Sequence, residues 1–162
     1  MTQLISYKDF YTDKVNFMDL ESALARHYEL NPQFTPWYGY PAGIEQEAMK
    51  AHDICHIIFG CDTSLLGEFR VELWSAFGTN LGTIGYSKIA SNKKVLKEPL
   101  EIVRKIGYFK VLWLMLTHIF EVIRIPYLSR KMKKKWVCFS EEQYLKKTIG
   151  EIREEFGVLL IK

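Results

Sequence analysis

Hydrophobic residues recur at helical spacing in two neighbouring stretches of the chain, residues 44–60 and residues 65–76. The apolar stripe of the first stretch comprises Ile44, Ala48, Ala51, Cys55, Ile58 and Phe59. The stripe of the second comprises Leu65, Phe69, Leu73 and Ala76. Gly60 is expected to end the first helix, and Asp62 or Thr63 to cap the second. Because the connection between them is short, we expect the two helices to pack antiparallel on each other.

The remaining chain also carries helical patterns. An N-terminal helix is predicted over residues 17–28, followed by a loop over residues 31–43 that is rich in proline and aromatic residues. A helix beginning at Pro99 is expected to carry the apolar segment 111–123 and to stop before Pro126.

The last predicted helix opens with a capping box at Ser140–Gln143 and closes at Gly157. No strand is strongly indicated anywhere in the chain. The sequence therefore predicts an all-α protein, a single-domain helical bundle over residues 1–162, with the helix that carries His52 and His56 packed antiparallel on the helix that carries Glu68.

Two imidazoles and two carboxylates occur close together in the two central helices. His52 and His56 stand four residues apart and therefore lie on one face of a helix, about 40° apart, with Asp53 flanking the same groove. Glu68 lies about as far beyond the predicted turn as His56 lies before it, at a rise of about 1.5 Å per residue. The four side chains are therefore predicted to share one divalent metal ion.

The same residues form a pattern of His-Asp-x-x-His from His52 to His56, then eleven residues, then Glu68. The flanking segments that agree with it are His56–Gly60, Leu66–Glu68 and Ile152–Val158. This pattern resembles the signature of the Coq-four family, the fourth coenzyme-Q biosynthesis protein, and the resemblance is strongest over residues 44–158. The approach to His52 differs from the family's Arg- and Tyr-rich pattern, because it reads Gln46-Glu47-Ala48-Met49-Lys50.

The resemblance implies an all-α protein, peripheral to membranes, that binds a divalent metal and an isoprenoid lipid in ubiquinone biosynthesis. It implies either oxidative removal of a ring carboxylate with hydroxylation at that carbon, or a non-catalytic scaffold that organises the biosynthetic complex. His52, Asp53, His56 and Glu68 would then be both the metal ligands and the catalytic residues. Mixed imidazole and carboxylate ligands fit iron, manganese, cobalt and zinc, and we expect zinc foremost.

The implied partners are an isoprenoid lipid or prenylated quinone precursor, a membrane surface, other quinone-biosynthesis proteins and a second copy of the chain. The residues expected to line the lipid or substrate pocket are Met49, Gly67, Glu72, Trp113, Leu116 and Phe120. Glu72, one turn beyond Glu68, is either an orienting residue or general base for the site, or a solvated or paired carboxylate.

Charge is distributed unevenly along the chain. Residues 1–80 hold 5 Lys and Arg against 11 Asp and Glu, whereas residues 81–162 hold 17 against 8. Much of the excess follows the apolar segment, at Arg130, Lys131, Lys133, Lys134 and Lys135. This basic stretch is expected either to be solvated or to face an anionic membrane. Nucleic acid is not expected as a partner, because no helix-turn-helix, zinc-finger or RNA-recognition signature accompanies the charges.

Other readings of the His and carboxylate pattern remain open. The residues can form a structural network without an ion. Metal-dependent phosphohydrolases also carry a His-Asp pair on a helix, but they need a further Asp far downstream, and this chain has no Asp after Asp62.

Composition agrees with one globular domain, since 48% of the residues are hydrophobic and 25% are charged. Its three cysteines form no Cys-x-x-Cys pair and are expected to be reduced thiols. Met1 to Phe10 contain neither an apolar signal segment nor an arginine-rich transit segment. We therefore expect a cytoplasmic bacterial protein, peripheral to the inner membrane.

Overall fold

A computed structural model describes residues 5–92, 95, 103–104 and 106–161 of the chain. Within these residues the structure is all-α, as the sequence predicts, with eight α-helices and no β-strand. The helices are α1 (Tyr7–Phe10), α2 (Leu20–Leu30), α3 (Ile44–Phe59), α4 (Leu65–Phe77), α5 (Gly82–Ala90), α6 (Tyr108–Thr117), α7 (Ile119–Lys131) and α8 (Ile149–Phe156). Short 3-10 turns cover Asp13–Val15, Trp37–Gly39 and Glu141–Tyr144.

Helix α3 lies at the centre of the bundle, where it contacts α2, α4 and α8. The stripe predicted for it is buried from Ala48 to Phe59, but Ile44 at its start is 40% exposed. Ile54 and Ile57 are also fully buried, so the second half of α3 is enclosed on nearly every side. Most of α3 therefore belongs to the core, and only a narrow flank of the helix is left for polar side chains.

Helix α4 turns back onto α3 through a short connection. Gly60 adopts the left-handed conformation that ends α3, with φ of 67°. The cap of α4 is Ser64, whose hydroxyl accepts a hydrogen bond from the Gly67 amide, so the predicted caps Asp62 and Thr63 are wrong. Asp62 instead accepts hydrogen bonds from Ser64 and stabilises the turn.

The buried face of α4 differs from the predicted stripe. The buried residues are Gly67, Val71, Trp74 and Ser75, whereas the predicted Leu65, Phe69, Leu73 and Ala76 are only part-buried. Trp74 stacks on Phe59 of α3, with ring centroids 4.5 Å apart and planes within 5°. The predicted stripe missed Val71 and Trp74, which lie on another face of the helix, and a hydrophobic pattern does not mark the small residues Gly67 and Ser75 that complete the buried face.

Two other helix boundaries also differ from the predicted ones. Helix α2 begins three residues later than predicted, where Asp19 caps it through the Ser22 amide. The capping box predicted at Ser140 is wrong, because a 3-10 turn follows that residue. The last helix begins only at Ile149, and the observed capping box pairs Thr148 with Glu151.

The apolar segment is not one straight helix. Its predicted start at Pro99 lies outside the described residues, and the segment breaks at His118 into α6 and α7, which are bent by 57°. Helix α7 continues through Pro126, so the predicted stop before this proline is wrong. Ile125 and Ser129 are buried, and the packing of α7 on α4 holds the helix together although Pro126 donates no backbone hydrogen bond.

No single described helix is long and apolar enough to cross a membrane. The bent pair of α6 and α7 has enough length and enough apolar residues for such a crossing only when the two helices are taken together.

Candidate metal centre

Three of the predicted ligands meet between α3 and α4. His52 Nε2 lies 3.1 Å from His56 Nε2 and 3.3 Å from one carboxylate oxygen of Glu68. The other carboxylate oxygen of Glu68 lies 3.4 Å from His56 Nε2. One ligand atom from each residue can be chosen so that all lie within 4.8 Å of one another. The i, i+4 spacing on α3 and the position of Glu68 in the first turn of α4 together produce this triangle.

The dimensions of the triangle fit a metal ion. Ligands at about 2.0 to 2.1 Å from a tetrahedral ion are separated from each other by about 3.3 Å. The separations of 3.1, 3.3 and 3.4 Å are close to this value, and the two that involve Glu68 end on different oxygens of its carboxylate. With one ligand atom taken from each residue, all three atoms lie within 4.8 Å of one another, so a small movement of the Glu68 carboxylate would complete the site. Two imidazoles and one carboxylate leave coordination positions open, as catalytic metal sites require.

The tautomer of His56 also favours metal ligation. His56 is buried, and its Nδ1 lies 2.9 Å from the carbonyl oxygen of Cys61, which can only accept a hydrogen bond. Nδ1 therefore carries the proton, and Nε2 presents a lone pair to the triangle. That lone pair faces the Glu68 carboxylate, and a cation between the two atoms would satisfy both.

The negative charges around the three side chains favour the binding of a cation. Burial alone would lower the pKa of His52, but the hydrogen bond to Glu68 and the negative charges of Glu68 and Glu72 raise it to about 10. Burial alone would raise the pKa of Glu68, but its hydrogen bond with His52 and the nearby imidazole of His56 hold that pKa well below its usual range. Without a metal the pair is therefore charged, and a divalent ion would take the place of the His52 proton.

The centre is enclosed on the His56 side and open on the opposite side. The side chain of His56 is 1% exposed, whereas those of His52 and Glu68 are 23% and 33% exposed. Glu72 lies one turn beyond Glu68, and burial raises its pKa. Its carboxylate accepts a hydrogen bond from Tyr86 of α5, a contact that holds it beside the open side of the centre.

Asp53 lies outside the group that the structure brings together. Its carboxylate accepts a short hydrogen bond from the Tyr28 hydroxyl of α2, 2.5 Å in length. Burial raises the pKa of Asp53, although the nearby histidines and the Tyr28 hydrogen bond oppose that shift. The side chain therefore ties α3 to α2. The helical spacing that places His52 and His56 on one flank turns Asp53 toward a different neighbour.

The Asp53→Asn variant is expected to bind metal in the same stoichiometry as the parent protein. It should lose about 1 to 3 kcal/mol of stability, because the hydrogen bond to Tyr28 then lacks its charged acceptor. Metal analysis and urea unfolding of the variant measure the two effects. Loss of the metal from this variant, with the fold retained, would restore Asp53 to the ligand set.

A third histidine, His27 of α2, borders the centre. It is buried, and its ring centroid lies 5.7 Å from that of His56. Its Nδ1 is hydrogen-bonded to the Tyr11 hydroxyl at 3.0 Å. Burial, with the nearby imidazoles of His56 and His52, lowers the pKa of His27 to about 3, so this imidazole is neutral. Its place on the buried stripe of α2, beside Leu20 and Leu24, was the sequence signal of its burial.

The residues predicted to line a lipid pocket differ in exposure. Gly67 packs against the main chain of Asp62, and Met49 is part-buried on α3. Trp113, Leu116 and Phe120 are exposed on α6 and α7. Helix α6 buries none of its described residues.

The basic stretch after α7 is held largely by its own neighbours. Lys133 donates to the Glu154 carbonyl, Lys134 pairs with Glu155, and Lys135 donates to the Ser129 carbonyl. The ammonium of Lys131 lies 4.4 Å from the ring centroid of Tyr127, and Arg130 is exposed. Two of the four lysines predicted to face a membrane, Lys133 and Lys134, thus contribute to the contact between this stretch and α8, and the other two contact residues of α7.

Comparison with protein-family models, curated proteins and solved structures finds no match to this chain. The resemblance to the Coq-four family consequently rests on the motif residues and their spacing.

Proposed function

We propose that the protein binds one divalent transition-metal ion through His52, His56 and Glu68 and uses it to modify an aromatic carboxylic acid. The observation that carries the proposal is the cluster of two imidazole nitrogens and one carboxylate, in which one ligand atom from each residue lies within 4.8 Å of the others. The lone pair that the Cys61 carbonyl imposes on His56 Nε2 supports the same conclusion.

The side chains around the centre have separate tasks in this proposal. A bound ion would polarise the carboxylate or ring oxygen of the substrate as a Lewis acid. His56 is fixed by its backbone hydrogen bond, and Glu68 bridges the two helices. Glu72 is positioned by Tyr86 beside the open side and has a raised pKa, so it is suited to exchange a proton with the substrate.

The proposed substrate is a prenylated aromatic acid of ubiquinone biosynthesis, and the support for it is the resemblance over residues 44–158. The reaction breaks the bond between the ring and its carboxylate and forms a ring hydroxyl at the same carbon. Dioxygen is the oxidant, and a reduced nicotinamide supplies two electrons, so that one carbon dioxide and one water are released with the hydroxylated ring. Two histidines and one carboxylate are also the ligand set of non-haem iron oxygenases.

The metal proposal is tested on the purified protein. We expect about one divalent ion per chain, with a chelator lowering the Tm by roughly 8 to 15 °C if the ion is present at a thousand times its Kd. The His52→Ala, His56→Ala double variant should bind no metal and should not respond to the chelator. His118→Ala, which removes a histidine outside the centre, is the matched control. Stoichiometric metal in the double variant would overturn the proposal.

The catalytic part is tested with the metal-free protein reloaded with zinc, iron(II), manganese or cobalt. Each preparation is supplied with a prenylated 4-hydroxybenzoate, dioxygen and reduced nicotinamide, and carbon dioxide is measured. Release that depends on the metal and is lost in the double variant supports an enzyme. Metal and lipid binding without any release with all four metals would overturn the enzyme proposal and favour the scaffold function.

A further inference from the structure

The largest exposed apolar surface of the described chain lies on α6 and α7, which we call the α6–α7 elbow (residues 108–131). Phe109 is 88% exposed and Phe120 77% exposed, although both are large aromatic side chains. The other large apolar residues exposed on the elbow are Tyr108, Leu112, Trp113, Leu116, Ile119, Ile123 and Tyr127. Soluble monomers rarely expose so many large apolar side chains together, and such a surface marks an interaction site.

Helix α7 shows that this exposure belongs to one side of the elbow. Glu121, Ile125 and Ser129, spaced four residues apart, are buried on the side that packs on α4. Arg70 of α4 pairs with Glu121 at 2.7 Å and anchors this side. Phe120 and Ile123 point to the opposite side and are exposed. The fold therefore holds the elbow by the side that packs on α4, and the large apolar side chains of the other side are exposed.

The exposed charged side chains of the elbow itself are all positive. The exposed basic residues of the elbow are Lys110, Arg124, Arg130 and Lys131. Glu121 is the only Asp or Glu between residues 102 and 140 of the sequence, and it is buried in its pair with Arg70. An apolar surface with a uniformly basic border matches an anionic lipid surface, where each nearby Lys or Arg adds to binding.

We propose that the α6–α7 elbow inserts its apolar side into the interface of an anionic lipid bilayer. The ten residues of α6 and the thirteen of α7 each extend only about 15 to 20 Å, and the bend of 57° prevents them from forming one straight span. Both arms therefore lie in the interface, with Phe109, Trp113 and Phe120 among the acyl chains. Tyr108 and Tyr127 near the two ends lie at the level of the headgroups, as amphipathic rings prefer.

The surface suits lipid better than it suits a protein partner. The central parts of protein interfaces are depleted in lysine and carry polar groups that pair across the contact. The exposed side chains of the elbow offer few such groups, because its exposed charged residues are all basic and the exposed hydroxyl of Thr117 donates to carbonyls of its own helix. The neighbouring basic stretch 133–135 is not required, because its lysines are engaged with α8 and Ser129.

Vesicle co-sedimentation tests this proposal. The parent protein should sediment with vesicles that contain a third phosphatidylglycerol, and much less with pure phosphatidylcholine or at 0.5 M salt. The Phe109→Asp, Phe120→Asp double variant should partition at least about tenfold more weakly, because it places two charges on the inserted side. Phe17→Asp, at an aromatic residue that is 61% exposed outside the elbow, is the matched control and should sediment as the parent does.

A spectroscopic measurement locates the contact. In a Trp37→Phe background, which removes the one other part-exposed tryptophan of the sequence, brominated lipids should quench the emission of Trp113. The quenching should be lost when Trp113→Phe is added, because Trp74 and Trp136 are fully buried and do not reach the lipid. Equal sedimentation of the elbow double variant and the parent, or quenching that persists when Trp113→Phe is added, would overturn the proposal. The proposal would also be overturned if the protein bound to no vesicle and formed a dimer that Phe109→Asp dissociates. The elbow would then be a contact between two copies. The metal proposal is independent, because metal content is measured without vesicles.

Discussion

The Arg153→Ala variant is expected to lose about 3 to 5 kcal/mol of stability, because this side chain satisfies several buried acceptors at once. Arg153 of α8 is only 5% exposed. Its guanidinium donates to the carbonyl oxygens of Ile57, Ile58 and Thr12 and to the side chain of Asn16, at 2.7 to 3.0 Å.

Two of these acceptors are carbonyls in the last turn of α3, which have no partner within the helix. Arg153 therefore acts as a C-terminal cap that is supplied from another helix, and its positive charge also opposes the negative end of the α3 dipole. Removing it leaves buried carbonyls without donors. Loss of this cap should therefore also disturb the metal centre, because α3 carries both of its histidines.

Urea unfolding monitored by circular dichroism measures the loss. Arg153→Lys should lose less than Arg153→Ala, because the ammonium keeps the charge but cannot reach all four acceptors. Arg130→Ala, at an exposed arginine of α7, should change stability by less than about 0.5 kcal/mol. A loss below about 1 kcal/mol for Arg153→Ala would contradict the capping role.

The parts of the structure that the sequence predicted depend on local spacing. The start and end of α3 agree with the predicted bounds, because the apolar stripe and Gly60 both act within a few residues. His52 and His56 meet Glu68 because helical rise and a short turn are enough to place them at similar heights. The sequence alone can therefore predict a group of ligands that comes from two consecutive helices.

Features that depend on distant partners were not predicted. Asp53 has the same spacing as a ligand, but Tyr28 of α2 takes up its carboxylate. Arg153 was expected only as part of a family motif, since nothing local shows that the end of α3 lies within its reach. The apolar pattern of α6 cannot distinguish a core helix from an exposed one, because both are rich in hydrophobic residues.

Gly67 connects the fold to the metal centre, and its position explains why a glycine precedes Glu68. A Cβ atom at residue 67 would lie 1.9 Å from the backbone oxygen of Asp62 and 2.3 Å from a carboxylate oxygen of the same residue. The Gly67 amide also donates to Ser64, which caps α4. Any side chain at this position must therefore push the turn away from α4 and displace Glu68 from the two histidines.

The Gly67→Ala variant is accordingly expected to lose about 1 to 3 kcal/mol of stability, because a close backbone contact has no flexible group that could yield. Its metal affinity should fall at least about tenfold, since the ligand triangle depends on the placement of Glu68. Gly85→Ala is the matched control: its Cβ would meet Leu81 only at an ordinary distance of 3.4 Å, and an alanine within α5 should stabilise the protein by about 0.5 to 1 kcal/mol. Metal titration by calorimetry and urea unfolding of the two variants measure both effects. If Gly67→Ala binds metal as tightly as Gly85→Ala, the turn does not position Glu68, and the triangle must be held by contacts further along α4.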